Sequence, residues 1–304
     1  MLFRSAARVP GDVGAAWFFE DVRNHYMAAL YGIPPEEALA RGEDYFLALS
    51  RATSIEIMEA VFAEWRRSGS PTRGGLVWFL KDVWPGAGWG VIDQGGAPES
   101  AWFALRRAFA PVQVLLIDEG LNGLKLHLIN ETAAEVAAEL ELACLADGRT
   151  PVMQARRELA LAPRSTLVVA AVELWGGFFD TSHAYRFGPP AHDVTLAALR
   201  IGGAQIAQAC HFPLGRGARL DHLGLEAVLV QAEGATFLDV SCQRFAQSVH
   251  LRDCGWEPED NWFHLPPGPA RRLLLTPRSR DCGQPAGVVA AVNGTDSARF
   301  GEMA

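Results

Sequence analysis

Lysine is almost absent from this chain. Lys81 and Lys125 are the only two, and every other permanently basic side chain is arginine. That reads as the codon bias of a GC-rich genome, not as a demand for guanidinium chemistry. A basic stripe is also missing, and the formal net charge is −8. Together these exclude the electrostatic footprint of a nucleic-acid partner. No apolar run approaches the ~20 residues that cross a bilayer as a helix, so no membrane partner is expected. The first residues, MLFRSAARVPGDVG, lack the apolar core of a signal peptide. That points to the cytoplasm if the chain carries its natural beginning. Paired cysteines are lacking too. Cys144, Cys210, Cys242, Cys254 and Cys282 are odd in number and include no CxxC, which speaks against a disulfide framework or a zinc site. Cys144 and Cys242 sit at apolar positions of alternating segments and read as small hydrophobes. The eight histidines are scattered, with no HExxH. No metal or other cofactor is expected.

What is present suffices for two or three domains. The chain has 304 residues, of which 49% are hydrophobic and 20% charged, ordinary for a globular protein. No internal repeat and no low-complexity segment is visible. Residues 12–31 carry a helical pattern closed by Gly32 and Pro34-Pro35. A second helix is expected over 44–67, where Met58, Val61, Phe62 and Trp65 form one stripe. Gly75–Leu80 is apolar on both faces, the mark of a strand covered on both sides. Ser100–Ala110 reads as an amphipathic helix stopped at Pro111.

Beyond Pro111 the hydrophobic period changes to two. In Val136–Leu145, residues Val136, Ala138, Leu140, Leu142 and Cys144 point one way, and Ala137, Glu139, Glu141 and Ala143 the other. Strands are expected near 112–118, 124–130, 136–145, 152–161, 165–174, 193–200 and 205–212. Glu119–Gly123 and Asp147-Gly148 supply turn signals. Seven short strands in ~100 residues fit an immunoglobulin-like sandwich. A linker is expected at 213–217. It is followed by further strands near 224–231, 235–242, 246–252, 271–276 and 287–292.

One parallel strand cannot stand alone, because its edges need neighbours and its faces need cover. Residues 1–111 show helices and no second strand. A complete (β/α)8 barrel takes about 250 residues. The expectation is therefore that 1–111 is the closing part of such a barrel, with its last strand at about 75–81 and its last helix at about 100–110. Two sandwiches follow, at 112–215 and 216–304. The fold class is mixed, and the natural N-terminus is expected to be missing.

The segment Gly74-Gly75-Leu76-Val77-Trp78, then Asp82-Val83-Trp84-Pro85, Trp89, Asp93 and Trp102–Pro111 resembles the end of the catalytic barrel in glycoside hydrolase family 2. The β-mannosidases are the most similar subgroup. Arg244–Leu251 and Asp260–Gly268 resemble the family's C-terminal sandwich. Phe79 and Lys81 stand where the family carries glutamine and asparagine, which leaves the sugar open between mannoside, galactoside and glucuronide.

The resemblance implies a retaining, metal-free hydrolysis of terminal β-mannosyl residues, with a β-mannoside oligosaccharide or glycan as partner of the full-length enzyme. Retaining glycosidases need two carboxylates about 5–5.5 Å apart. The family's two glutamates lie on barrel strands four and seven, before the point at which this chain starts. No catalytic residue is therefore assigned, and the chain alone is expected to be inactive. Asn130-Glu131 mimics the family's Asn-Glu pair but ends an alternating strand, where asparagine serves turns. Glu20-Asp21 reads as the acidic start of a helix.

The implied sugar-binding residues are Trp78, Asp82 and Trp84. Trp78 is the platform beneath the sugar or a core-filling indole. Asp82 accepts from a sugar hydroxyl or braces a loop. Trp84 lines the cleft or packs the barrel rim. Trp89 reads as structural, and Trp262 and Phe263 as inter-domain packing. The alternative function is a non-catalytic β-sandwich module that binds carbohydrate or protein. The oligomeric state is open.

Overall fold

The structure is a computed structural model that describes residues 8–10, 16–72, 74–86, 88–217, 219–253, 255–279 and 281–301. In chain order its elements begin with a short antiparallel hairpin, β1 (Arg8–Pro10) and β2 (Ala16–Phe18). Helices α1 (Phe19–Tyr31), α2 (Pro35–Ala40), α3 (Glu43–Arg66) and α4 (Ser100–Ala108) follow. Next come β3 (Val112–Asp118), β4 (Leu124–Asn130), β5 (Val136–Ala146), β6 (Thr150–Leu161) and β7 (Ser165–Ala170). After the one-turn helix α5 (Ala171–Trp175) lie β8 (Val194–Ile201) and β9 (Ala204–His211). The last block holds β10 (Glu226–Ala232), β11 (Ala235–Ser241), β12 (Ala246–Asp253) and β13 (Trp256–Pro258). It ends with β14 (Phe263–Leu265), β15 (Arg271–Pro277), β16 (Gly287–Ala290) and β17 (Ala298–Phe300).

The chain divides into two compact units. One comprises Met1–Ile55, Trp78–Phe103 and Gly217–Ala304, and the other Glu56–Val77 and Ala104–Arg216. In the second unit, β3-β4-β7 form one sheet and β6-β5-β8-β9 the other. Strand β5 buries Ala138, Leu140, Leu142 and Cys144 and leaves the residues between them more exposed. Ala138, Leu140 and Leu142 meet Leu126 and Leu128 of β4 and Leu199 of β8 in one apolar cluster. Burying each leucine contributes about 2 kcal/mol, as an upper estimate. Asp147 and Gly148 turn the β5–β6 hairpin with φ of 53° and 60°, the left-handed pair that matches strand twist.

In the first unit, β10-β11-β15-β13 and β14-β12-β16-β17 enclose a second core. Leu238, Val240, Leu273 and Leu275 meet Val249, Phe263, Leu265 and Val289 there.

Several expectations need correction. No strand forms over 75–81. Among the described residues only Lys81 pairs, with Ile92, because no neighbouring strand offers Gly75–Leu80 a ladder. The first helix begins at Phe19, after a strand, and residues 12–15 lie outside the described residues. Residues 1–111 do contain strands, the hairpin β1–β2. The strand expected over 165–174 gives way to α5 at Ala171. Phe263 belongs to the core of its own sandwich, whereas Trp262 stacks on His250 at 4.2 Å and lines a cavity with Ala48 and Arg51 of α3. Cys144 and Cys242 are buried free thiols, with pKa pushed by burial up to about 11 and about 12. Cys254 lies outside the described residues. No described helix is long and apolar enough to cross a membrane.

Asn130 is a turn residue. It is fully buried, and its amide donates to the carbonyls of Ala134 (2.8 Å), Leu161 (3.0 Å) and Ala162 (3.1 Å). Its Oδ1 accepts from the Thr132 amide and hydroxyl. Glu131 is exposed and ion-paired to Arg66. Replacing Asn130 by alanine strands three carbonyl groups at once. Asn130→Ala is expected to lower unfolding stability by about 2–3 kcal/mol in denaturant titration. A change under about 0.5 kcal/mol would contradict this role.

Candidate functional site

The residues singled out from the sequence lie on a small arch in the first unit. Leu80 O accepts from the amides of Val91 (3.2 Å) and Ile92 (3.0 Å), and Asp82 N–H donates to Ile92 O (2.9 Å). The return limb is fixed by Glu99 N–H on Val91 O (2.9 Å) and by Asp93 N–H on Ala97 O (2.9 Å). Asp93 Oδ1 also accepts from Ala97 N–H at 2.8 Å. Residues 83–86 and 88–90 lie between the limbs.

Asp82 closes that span. Its side chain is 6% exposed, and Oδ1 accepts from Gly90 N–H at 2.9 Å. The packing around it excludes any side chain. A Cβ on Gly88 would lie 2.4 Å from Asp82 Oδ1, and one on Gly90 would lie 2.6 Å from Asp82 N. Both positions therefore require glycine. Oδ2 is buried and has no hydrogen-bond partner among the described residues.

The tryptophans are placed oppositely. Trp78 is 82% exposed and Trp84 79% exposed, and Leu80 and Val83 between them are exposed as well. Trp78 and Phe79 meet edge to face at 5.8 Å, across a cis peptide bond. Trp89 is half-buried. The arch thus holds one buried carboxylate beneath a surface that presents two indoles. Indole faces suit the C–H faces of sugars.

Glu99 joins this arch, and sequence reasoning missed it. Burial and the neighbouring carboxylates of Asp82 and Asp93 push its pKa up to about 6, against a smaller opposing pull from Arg51. The available signal was three acids within one Gly/Pro-rich segment, Asp82, Asp93 and Glu99. Glu20 and Asp21 occupy the first turn of α1, where acids complement the helix dipole.

Comparison with known proteins identifies the architecture. The fold matches a β-D-mannosidase from Dictyoglomus thermophilum with a TM-score of 0.70 and 16% identity, covering 90% of this chain and 32% of that one. It matches the exo-chitosanase of Amycolatopsis orientalis with a TM-score of 0.66 and 15% identity, covering 96% and 38%. This is the sandwich architecture of large glycosidases. In sequence, the chain is 32% identical to β-mannosidase B of Aspergillus clavatus over 248 residues, 75% of this chain and 28% of that enzyme's length. It is 40% identical to β-mannosidase B of Thermothelomyces thermophilus over 52 residues, 17% and 6% of the two chains. No protein-family model matches. Over three quarters of its length the chain is similar to a β-mannosidase of glycoside hydrolase family 2. It spans 28% of the length of that Aspergillus clavatus relative.

The raised pKa of Glu99 has a definite sign. Its carboxyl binds a proton more tightly in the fold than in the unfolded chain, whose ordinary value is 4.5. The associated stability is present in full below about pH 4.5 and is lost as pH rises through about 6. Glu99→Gln, which stays neutral, is expected to melt at a higher temperature than the parent above pH 6 and at a similar temperature near pH 4. Parallel melting-temperature curves for the two proteins across that range would rule this out.

Proposed function

We propose that the chain forms the C-terminal part of a retaining β-mannosidase-like glycosidase. Residues 1–111 contribute the closing part of a (β/α)8 barrel. Residues 112–215 and 216–304 are its two sandwiches. Trp78 is the platform on which the sugar stacks, and Trp84 lines the same face. Asp82 holds the arch that carries them. The hydrolytic carboxylates come from outside residues 1–304, so the chain alone turns over no β-mannoside.

The single observation behind this reading is the exposure of both indoles on an arch pinned by a buried acid. Two exposed tryptophans with exposed Leu80 and Val83 form a patch that a water-facing loop has no reason to carry.

A second reading, a non-catalytic carbohydrate-binding sandwich, draws on a cleft of about 700 Å³ in the other unit. Phe62, Trp65 and Phe109 wall it, with ring centroids 5.1 and 5.0 Å apart. The Arg66–Glu131 ion pair lies at its polar side.

One set of measurements separates the readings. Purified chain is assayed with an aryl β-mannoside and titrated with manno-oligosaccharide by tryptophan fluorescence. The first reading predicts no turnover and a weak affinity that falls about fivefold in Trp78→Ala, on the order of 1 kcal/mol. Turnover by the chain alone would contradict it. Affinity lost in Trp65→Ala and retained in Trp78→Ala would favour the second.

A further inference from the structure

A cavity of about 250 Å³ opens in the first unit between the first half of α3 and the C-terminal sandwich. Its walls carry three guanidinium groups, on Arg51, Arg252 and Arg278, against the single carboxylate of Asp44. That carboxylate is already taken, since Arg252 Nη1 meets Asp44 Oδ2 at 2.8 Å. Neither Arg51 nor Arg278 is ion-paired to a carboxylate among the described residues. Arg51 also acts on the Glu99 carboxyl without an ion pair, and three arginines lining one concave site against one carboxylate attract an anion, while planar guanidinium groups suit the two oxygens of a carboxylate or phosphate.

The apolar wall has been built at a cost in backbone strain. Trp262 has a φ of 59° and Ser248 a φ of 46°, both in the left-handed region that side chains other than glycine avoid. Asn261 holds the first of these turns, with Oδ1 accepting from Leu251 N–H (2.9 Å) and Trp262 N–H (3.0 Å). The outcome is a flat stack of His250 on Trp262, with centroids 4.2 Å apart and planes 8° from parallel. His250 Nδ1 donates to Ser248 O at 3.1 Å. Burial drives the pKa of His250 down to about 4, so the ring is neutral at pH 7 and the arginines set the charge. Trp256 also lines the cavity, with its indole N–H held by Gly283 O at 2.8 Å.

Size limits the occupant. Drug-sized ligands occupy roughly 300–1,000 Å³, so this cavity suits a monosaccharide or less. We propose that it binds a sugar acid or sugar phosphate, a compact oxyanion on a ring with an apolar face. Arg51 and Arg278 take the oxyanion, and the indole of Trp256 takes the ring. The proposal does not depend on the glycosidase reading.

The test is calorimetric titration of the whole chain at low ionic strength with glucuronate, glucose 6-phosphate, glucose and inorganic phosphate. At least one of the two acidic sugars is expected to bind at least about tenfold more tightly than glucose and than inorganic phosphate. Arg278→Met and Arg51→Met are each expected to weaken that binding about tenfold or more while leaving the melting temperature unchanged, the loss of one charge-assisted contact. The preferred sugar identifies the oxyanion as carboxylate or phosphate. No preference of either acidic sugar over glucose, inorganic phosphate binding as tightly as both, or full affinity in both folded variants would overturn the proposal.

Discussion

The arrangement of the candidate site depends on the hydrogen bond from Gly90 N–H to Asp82 Oδ1. A carboxylate taken out of water is expensive unless donors replace its hydration. Here one oxygen receives a backbone donor, and the backbone around it has no room for a side chain at Gly88 or Gly90. The limbs of the arch are joined by only a few backbone bonds around Leu80, Asp82, Val91 and Ile92. The Asp82 contact fixes the span between them, and with it the positions from which Trp78 and Trp84 project.

The contrast with the sandwiches explains why the exposure matters. In both sandwiches the apolar side chains of one strand find those of the facing sheet, and the cores close on themselves. In the arch segment the apolar residues Trp78, Leu80, Val83 and Trp84 are all exposed. An exposed apolar patch of this kind is a place for contact with a ligand or partner. Under the proposal that the chain is part of a β-mannosidase-like enzyme, a sugar face is the chemical match for these two indoles.

How much the sequence revealed depended on the range of the interaction. Period-two patterning located β5 and its buried face to within a residue or two, because alternation is a local consequence of the pleat. Asp147-Gly148 announced its turn, because few residue pairs accept two positive φ values. Asn130 was legible as turn chemistry for a similar reason. The three-residue strands β13, β14 and β17 were not, since such short segments have no period to read. Gly75–Leu80 had the composition of a buried strand, yet strand formation needs partners that composition cannot supply. Of the site, the tryptophans and Asp82 were visible by motif, but the contact of Asp82 with Gly90 was not. The cavity of Arg51, Arg252 and Arg278 left no local signature, because its walls come from positions about two hundred residues apart. The abundance of arginine in the composition masked them further.

The Asp82 brace is tested most directly by amide hydrogen exchange at Gly90, read residue by residue in the whole chain. If the carboxylate holds the arch, Gly90 N–H exchanges well below the rate of an unstructured amide. In Asp82→Ala that protection is lost at Gly90, while the amides of β5 and β11 keep theirs. A Gly90 amide that exchanges at the unstructured rate in the parent chain, or that stays protected in Asp82→Ala, would contradict the brace and the placement of Trp78 and Trp84 that rests on it.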